Sequence, residues 1–383
     1  MKIAVNTRLL LKDRLEGIGW FTYESLKRIV CNHPEHTFYF IFDRKYDPSF
    51  KFADNVVLVE VFPPARHHPW FLYFYFEFAI PRVLKKLKPD LFLSTDGWVS
   101  LRSNIPQVDV IHDLNFEHSR EFLTCGFQKY YTHFFPKFAR KALRIATVSS
   151  FSKQDIHKLY GIPEERIDVV YNGSNALFQP LPLEEQQKVR EQYTSGNPYF
   201  LFVSAIHKRK NLANILRAFD DFKTATKSEV RFVVVGARAG MQGDIDAVYQ
   251  QMHHSSDVIF TGRLSANELS MVLASSMALV YASLFEGFGI PIVEAFNAET
   301  AVITSNVTSM PEVAGDAALL VDPNDVGQIQ DAMTRLATDE VLRQSLIEKG
   351  RLQRQKFSWD LTAEKLWKCV EKSFQDLNIN QKY

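Results

Sequence analysis

The stretch SLFEGFGIPIVEAFNAETAVITSN, residues 283–306, decides the fold of this chain. It follows the apolar run 278–281, passes through a glycine-bearing turn at 286–289 and enters a predicted helix at Pro291. Proline is tolerated at the start of a helix because the first amides there have no partner within the helix. A strand, a glycine turn and a helix N-terminus favour phosphate binding, because glycine lets the backbone approach and the helix dipole attracts the anion. The stretch therefore predicts an α/β unit with an anion site.

Two carboxylates, Glu286 and Glu294, flank this turn, and their place beside an anion site needs a reason. Ionised carboxylates only accept hydrogen bonds, whereas sugar hydroxyls donate them. The pair therefore predicts a site for a sugar that is linked to a phosphate. The alternative is that Glu294 complements the helix N-terminus and that Glu286 is solvated.

Length and composition limit the possible classes of protein. At 383 residues the chain exceeds what one core usually supports, so we expect two domains, and 46% hydrophobic residues suffice for both cores. The formal net charge of +1 gives no general attraction to nucleic acid or anionic membranes. The three cysteines are too scattered for a disulfide framework or a metal site, which is typical of a reducing cytoplasm. Residues 1–8 carry no signal-peptide pattern, and no apolar run is long enough to span a bilayer.

Candidate site residues also follow strands in the first half of the chain. The predicted first strand, KIAVNTRLL at 2–10, leads to Gly17, Gly19 and a helix, which makes a second strand–glycine–helix unit. His112 ends an apolar strand, and ligands of open α/β sheets bind at the carboxyl ends of strands. A histidine there can donate to a phosphate or sugar oxygen near neutral pH, or it is only structural. Asp113 either orients this histidine or caps the turn.

A basic run, 207–210, follows the first predicted strand of the second half. Arg209 and Lys210 can neutralise a diphosphate there, or they form only a solvated basic turn. Asp244 and Asp246 have the D-x-D form of a metal site, but they start a helix, where aspartates are favoured as caps. We therefore predict no metal site.

Two segments have two interpretations each. The aromatic run 70–78, which lysines follow, is either an inner helix packed through its rings or an amphipathic helix that contacts a membrane or a lipid acceptor. The basic helix 127–143 presents either a solvated face or a surface for an anionic acceptor, such as a diphosphate-linked lipid.

The motif FEGFGIPIVEAF at 285–296 resembles the glutamate–seven–glutamate motif of the family 4 retaining glycosyltransferases, which have the GT-B fold. The stretch 305–323 matches that family closely, and residues 112–114 and 209–212 resemble its H-D-L and R-K-N-L stretches. The resemblance covers nearly the whole chain. It implies an α/β architecture of two doubly wound Rossmann-like domains facing across a cleft. It also implies transfer of a hexose with retention of the anomeric configuration and no requirement for a divalent metal.

The resemblance further implies roles for individual residues. Lys210 would bind the donor diphosphate, and Arg209 would share the charge. Glu294 would accept the ribose hydroxyls, and Glu286 those of the donor sugar. His112 would contact sugar or phosphate. The expected catalytic residues are thus His112, Glu286 and Lys210. The expected donor-binding residues are Gly17, Gly19, Arg209, Lys210, Gly262, Arg263, Gly287, Phe288, Gly289, Ile290 and Glu294.

The chain departs from the family pattern at three places. Ser204 and Ala205 stand where members have glycine and, in some, arginine, so no second basic contact is expected from position 205. The residues 299–301 replace Gly-Thr-Pro, so the preceding helix must end without a glycine cap. Trp20 follows the second glycine of the first loop, where members often carry a basic or small residue.

The chain therefore divides into four predicted segments. Residues 1–175 form an acceptor-binding domain, 176–198 a linker, and 199–356 a nucleotide-sugar-binding domain. Residues 357–383 form a helix that crosses back to the first domain.

Similarity to bacterial mannosyltransferases of lipopolysaccharide and capsule synthesis favours GDP-mannose as the donor and a glycan or a polyprenyl-diphosphate-linked acceptor. A UDP-hexose transferase of the same family and a nucleotide-sugar epimerase of the same fold are the alternatives. A non-catalytic glycan-binding module is disfavoured because the glycine turn, Lys210 and both glutamates are intact. We expect no cofactor and no nucleic-acid partner. The expected location is the cytoplasm, with peripheral contact at the inner membrane face as an open alternative.

Overall fold

The computed structural model describes residues 1–65, 68–119, 125–237 and 243–380. The strands are β1 (Lys2–Asn6), β2 (Thr37–Phe42), β3 (Val56–Glu60), β4 (Leu91–Ser94), β5 (Gln107–Val110), β6 (Arg144–Thr147), β7 (Ile167–Val169), β8 (Tyr199–Val203), β9 (Arg231–Val235), β10 (Val258–Gly262), β11 (Ala278–Tyr281), β12 (Ala301–Ser305) and β13 (Leu319–Val321). The helices are α1 (Gly17–Asn32), α2 (Pro69–Phe74), α3 (Ile80–Leu87), α4 (Asn115–His118), α5 (Cys125–Lys141), α6 (Ser150–Tyr160), α7 (Leu183–Thr194), α8 (Leu212–Thr226), α9 (Gly243–Gln251), α10 (Ala266–Ala274), α11 (Ile290–Asn297), α12 (Met310–Ala314), α13 (Val326–Thr338), α14 (Glu340–Gln353) and α15 (Trp359–Asn380). A widened helical turn, Tyr75–Ala79, joins α2 to α3.

The chain forms two compact units, each built on one parallel sheet. The first unit comprises residues 1–173 and resumes at Ser358, and the second comprises Ser174–Phe357. The first sheet has seven strands in the order β3-β2-β1-β4-β5-β6-β7, and the second has six in the order β10-β9-β8-β11-β12-β13. All pairings are parallel, and helices connect the strands. The prediction of two doubly wound Rossmann-like domains is confirmed.

The strands form where the sequence has short apolar runs without a helical period. In β11 all four residues are buried, and in β8 the first four are. Burial on both faces is what a parallel sheet covered by helices requires. The core of the second unit packs α8 and α13 against this sheet through Phe219, Phe222 and Met333.

Each sheet has one point where the strand order reverses, between β1 and β4 in the first and between β8 and β11 in the second. Connections leave these neighbouring strands in opposite directions, which opens a crevice at their carboxyl ends. Residues that directly follow β1, β4, β8 and β11 are therefore placed to meet a ligand.

The segment expected to be a linker, 176–198, differs from that expectation. It belongs to the second unit, and its central part forms α7. Two residues of this polar helix, Val189 and Thr194, are buried, and the Arg190 Nε donates to the Ser275 carbonyl at 3.0 Å. These few contacts hold α7 on the second unit although its sequence has almost no apolar period.

The last helix, α15, belongs to the first unit. Its Trp367 ring stacks on His33 with centroids 3.9 Å apart, and Asp360 accepts from Arg28 at 2.6 Å. The chain therefore leaves the first unit after Gly173 and re-enters it at Ser358.

The helix α11 ends without glycine, as the sequence requires. Glu299 itself adopts a left-handed conformation, with φ +56°, where members of the family carry glycine. The Thr300 amide donates to the Ala295 carbonyl at 2.9 Å, and its hydroxyl donates to the Leu273 carbonyl at 2.9 Å. The Glu299 carboxylate pairs with Arg351. These bonds fix a conformation that is otherwise unfavourable for a residue with a side chain.

The aromatic run 70–78 is partly buried, as an inner helix would be, and partly exposed, as a membrane-contacting helix would be. Leu72, Tyr75 and Phe76 lie in the core of the first unit. Trp70 and Phe71, by contrast, are exposed, as is Phe74. Across the described ranges, no helix is both long and apolar enough to cross a membrane.

Candidate functional site

The glycine turn between β11 and α11 has the predicted form. Gly289 adopts φ +104° and lies at the N-terminus of α11. A Cβ at this glycine would lie 3.1 Å from the Ile292 Cδ1, so both the conformation and the space favour glycine. The buried Ser309 hydroxyl holds the turn, because it lies 2.9 Å from the Glu286 carbonyl and 3.0 Å from that of Phe288. The strand–glycine–helix prediction is confirmed.

The reversal point of the second sheet brings together three of the predicted site residues. Arg209 and Lys210 lie in a single helical turn after β8, and Glu286 lies after β11. The Lys210 Nζ is 2.6 Å from the Glu286 Oε1, and the Arg209 Nη1 is 3.0 Å from its Oε2. The Lys210 ammonium also donates to the Tyr281 hydroxyl at 2.9 Å, and Arg209 to the Phe285 carbonyl at 2.7 Å.

Charge balance in this cluster favours an ionised Glu286. Only 6% of the residue is exposed, and burial alone would raise the pKa of its carboxyl. The charges of Lys210 and Arg209 outweigh that effect and lower the pKa below its usual value. The cluster therefore holds two cations against one buried carboxylate at the carboxyl end of the sheet. Two cations in one place suit an anion such as a diphosphate.

Glu286 has two contacts that the sequence analysis did not predict. Its carboxylate was expected to meet the hydroxyls of the donor sugar, which stays a prediction. Each carboxylate oxygen binds a cation, from Lys210 or Arg209. The ion pairs join residues more than seventy positions apart, and only the pairing of β8 with β11 brings them together.

Glu294 lies in α11 and differs from Glu286 in its surroundings. It is half-buried, and burial raises the pKa of its carboxyl to about 8. None of the described residues forms a hydrogen bond or an ion pair with this carboxylate. The helix carries no acid in its first turn, so Glu294 is not placed to complement the N-terminus. With no partner among the described residues, the Glu294 carboxyl can meet a ligand hydroxyl.

Gly262, a predicted donor-binding residue at the end of β10, lies where the backbones that follow neighbouring strands approach one another closely. Gly262 has φ +74°, and its carbonyl accepts from the Gly236 amide at 3.0 Å. In the part of the chain that the structure describes, no atom lies within 4 Å of a Cβ built on Gly262. A Cβ on Gly236 would lie 1.9 Å from the Ser204 carbonyl oxygen, so the backbones after β8 and β9 approach closely. Arg263 is exposed beside this edge.

The two glycines of the first loop have different structural demands. The helix α1 begins at Gly17, where a Cβ would meet no atom within 4 Å. At Gly19 a Cβ would lie 3.1 Å from the Leu9 carbonyl and 3.3 Å from the Leu15 side chain. Gly19 therefore serves the packing of this loop, whereas among the described residues nothing crowds a Cβ at Gly17.

His112 lies just after β5, at the carboxyl edge of the first sheet. Its Nε2 is 2.9 Å from the Thr95 carbonyl, to which it donates, and the Phe21 ring meets it edge-on at 4.9 Å. Burial lowers the pKa of the imidazole, so the neutral form dominates at pH 7. Asp113 accepts from the Asn115 amide and side chain, so it caps the turn and does not orient the histidine.

A polar cluster at the reversal point of the first sheet was missed by the sequence analysis. Asp96, which is 7% exposed, accepts from the Asn6 amide group at 2.8 Å and pairs with the Arg8 Nε at 2.5 Å. The Arg8 guanidinium lies 5.6 Å from the Trp98 ring. Polar residues directly after two apolar strands, at 6–8 and 94–96, were the signal that could have indicated it.

The D-x-D pattern lies at the start of α9, with both aspartates in its first turn. A different group, His33, Glu35 and His36, brings its potential ligand atoms within 4.8 Å of one another. Neither aspartate belongs to that group.

Comparison with known proteins assigns the two halves of the chain to two family models. The model of glycosyl transferases group 1 matches residues 184–353, and the model of glycosyltransferase family 4 matches residues 23–176. Together they cover most of the chain.

Two curated relatives are mannosyltransferases. The chain is 30% identical to O-antigen chain mannosyltransferase B of Escherichia coli over 56% of its own length and 57% of that protein. It is 29% identical to O-antigen chain mannosyltransferase RfbU of Salmonella typhimurium over 70% of each chain. The first of these matches thus spans little more than half of the relative's length.

A solved structure shares the fold across both units. The crystal structure of WaaG, a glycosyltransferase involved in lipopolysaccharide biosynthesis, matches with a TM-score of 0.75 at 16% identity, over 95% of this chain and 98% of that one. Strand order, the glycine turn and the two family matches agree, and the chain belongs to the family 4 glycosyltransferases with the GT-B fold.

Proposed function

We propose that this chain is a retaining glycosyltransferase of bacterial surface polysaccharide synthesis. It transfers a hexose to a glycan or lipid-linked acceptor. The hexose is mannose, and the donor is GDP-mannose. The observation that carries the proposal is the cluster of Lys210, Arg209 and Glu286 beside the glycine turn, at the reversal point of the second sheet. Two relatives named as O-antigen mannosyltransferases support mannose as the sugar.

The reaction breaks the bond between the anomeric carbon and the diphosphate oxygen and forms a bond to the acceptor oxygen. The proton of the acceptor hydroxyl passes to the leaving diphosphate. Negative charge therefore grows on the diphosphate in the transition state. Lys210 and Arg209, which Glu286 holds in fixed orientations, would stabilise that charge. Such preorganised charge requires little rearrangement during the reaction. Retention would follow from attack on the face that the diphosphate leaves, and we assign no protein nucleophile.

The remaining site residues contact hydroxyl groups in this proposal. The Glu294 carboxylate accepts from the ribose hydroxyls of the donor. With the Nε2 of His112 donating to a carbonyl, its Nδ1 is an acceptor, so the histidine receives a sugar hydroxyl and does not donate to phosphate. The Asn6, Arg8 and Asp96 cluster, which also lies in the first unit, would help to position the acceptor.

The direct test is a transfer assay with purified protein and radiolabelled donors. We expect label to pass from GDP-mannose to acceptors extracted from a strain that makes a mannose-containing O-antigen, with no loss on adding chelator. Lys210→Ala should lower kcat about 100-fold, because it removes one preorganised charge. Lys349→Ala, an exposed lysine of the same unit, is the matched control and should retain activity.

Three outcomes of that assay would contradict parts of the proposal. Transfer from UDP-hexoses alone would keep the reaction and change the donor. Conversion of the donor sugar without an acceptor would indicate an epimerase. Equal turnover of the Lys210 variant and the wild type would contradict the diphosphate role.

The second prediction concerns stability, because Glu286 compensates two partly buried cations. Glu286→Gln should lower the free energy of unfolding of the second unit by about 3 kcal/mol at pH 7. The folded carboxyl has a lowered pKa, so its contribution is present above the ordinary carboxyl pKa and is lost as pH falls through the folded value. The difference between the variant and the wild type should therefore shrink on acidification.

Thermal unfolding with and without GDP measures this effect. The diphosphate supplies the missing anion, so GDP should stabilise Glu286→Gln more than the wild type. The exposed Glu348→Gln is the matched control. A variant as stable as the wild type at pH 7, with the same response to GDP, would rule out the compensating role of Glu286.

The third prediction is a pH dependence of nucleotide binding that depends on Glu294. Below about pH 8 the carboxyl is mostly protonated in the free protein, and it must lose its proton to accept two hydroxyls. GDP affinity should therefore rise with pH, by up to about tenfold per unit, and level off above pH 8. Calorimetric titration between pH 6 and 9 measures it, and Glu294→Gln should bind weakly with a flat profile. A wild-type profile equally flat over this range would contradict the assignment.

A further inference from the structure

Exposed aromatic side chains are concentrated on one short helix of the first unit. Trp70, Phe71 and Phe74 of α2 are 65%, 49% and 46% exposed. A contiguous group of such rings on a surface marks a contact site more often than it occurs by chance. Single exposed apolar residues elsewhere, such as Leu183 and Val341, have no such neighbours in the chain.

The opposite face of the same segment is buried, and this burial holds the three rings on the outside. Leu72, Tyr75 and Phe76 are packed into the core of the first unit, so α2 cannot turn to bury the exposed rings. Tyr73, between the two faces, contacts the Phe134 ring of α5 at 5.7 Å. The aromatic helix and the basic helix are therefore neighbours on one surface.

The exposed face of α5 is cationic. Lys129, His133 and Lys137 are exposed and follow one another at intervals of four, which places them on one side of the helix. The Lys137 ammonium donates to the His133 Nε2 at 2.6 Å, so the charge of this face comes from the two lysines. The Lys137 ammonium lies 5.5 Å from the Phe134 ring that contacts α2. The sequence of this helix, Cys125–Lys141, contains no acid.

One further cation is fixed next to the aromatic rings. The buried Glu77 carboxylate accepts from the amides of Leu101 and Arg102 at 3.0 and 3.1 Å, which holds that loop on the aromatic segment. The Arg102 guanidinium then lies 4.1 Å from the Phe78 ring, and Phe74 lies 5.6 Å from the same ring.

We propose that these residues form a docking surface for an anionic lipid bilayer, which we call the aromatic–basic surface. The rings would enter the interface between headgroups and acyl chains, and the cations would meet anionic headgroups. Charge complementarity supports an anionic bilayer as the partner. The whole chain has a formal net charge of only +1, whereas this surface has cations on two sides of the rings, so positive charge is concentrated there. The surface consists of Trp70, Phe71, Phe74, Arg102, Lys129, His133 and Lys137.

This inference rests on the proposed function in one respect: a lipid-linked acceptor would be presented at such a bilayer. Docking of the first unit would bring the acceptor-binding edge of its sheet close to the membrane. On this proposal both interpretations of the run 70–78, an inner helix and a membrane-contacting helix, hold for different residues of the same segment. One face packs into the core, and the other faces outward.

The experiment is sedimentation of the full-length protein with vesicles of phosphatidylcholine, alone or with 30% phosphatidylglycerol. We expect at least tenfold tighter binding to the anionic vesicles, with a clear loss in 0.5 M NaCl. Combined substitution Trp70→Ser, Phe71→Ser and Phe74→Ser should weaken binding at least tenfold. Lys129→Glu with Lys137→Glu should weaken it at least 25-fold, because each cation near an anionic surface contributes about fivefold.

Matched controls separate the surface from general effects. Leu183→Ser with Val341→Ser removes exposed apolar residues elsewhere, and Lys45→Glu with Lys51→Glu reverses exposed charges in the same unit. Both should bind like the wild type. A blue shift of tryptophan fluorescence on vesicle binding should disappear in Trp70→Phe, a variant that conserves the aromatic character.

Several results would overturn the inference. These are no binding by a folded wild type, equal binding to neutral and anionic vesicles, or binding that none of the surface variants changes. A shift from dimer to monomer in the aromatic variant, without an effect on vesicles, would assign the surface to a second copy of the chain. Transfer to a water-soluble acceptor should be unchanged in all variants, so failure of the surface and failure of the proposed function are distinguishable.

Discussion

The buried ion pairs of Glu286 with Lys210 and Arg209 are the interaction on which the second unit's candidate site depends. One carboxylate with 6% exposure holds two cations at the end of the sheet, so the cations stay oriented before any ligand arrives. Breaking such a pair by removing one partner is costly, because it leaves charge uncompensated in a poorly solvated place. A diphosphate bound there would offset that charge, so under the proposed function donor binding would stabilise this edge.

Sheet topology places this interaction and its counterpart in the first unit. Both units reverse their strand order once, and in both a polar cluster occupies that point. In the second unit it is the cationic cluster; in the first it is Asp96 with Asn6 and Arg8, near the neutral His112. The second unit thus has a cationic sheet edge, and the first unit has an edge where Arg8 and Asp96 balance each other. Under the proposed function, these edges would bind phosphate and sugar hydroxyls, respectively.

The sequence allowed much of the fold to be predicted, because its signals are local. Apolar runs followed by glycine and a helix indicated the two sheets and the turn at Gly289. Contacts between distant residues were not predictable in the same way: the bond of Lys210 to Glu286 needs β8 beside β11, and that of Asn6 to Asp96 needs β1 beside β4. A charged helix was expected within the linker, but its attachment to the second unit was not, because α7 is polar, follows prolines and packs at only a few positions.

The measurement that tests the account most directly is a crystal structure of the protein with GDP bound. The account predicts that the terminal phosphate lies about 2.7–3.1 Å from the Lys210 Nζ, beside the N-terminus of α11, with a ribose hydroxyl against Glu294. A diphosphate bound elsewhere, with the Lys210–Glu286 pair unchanged and Glu294 without a ligand contact, would contradict it.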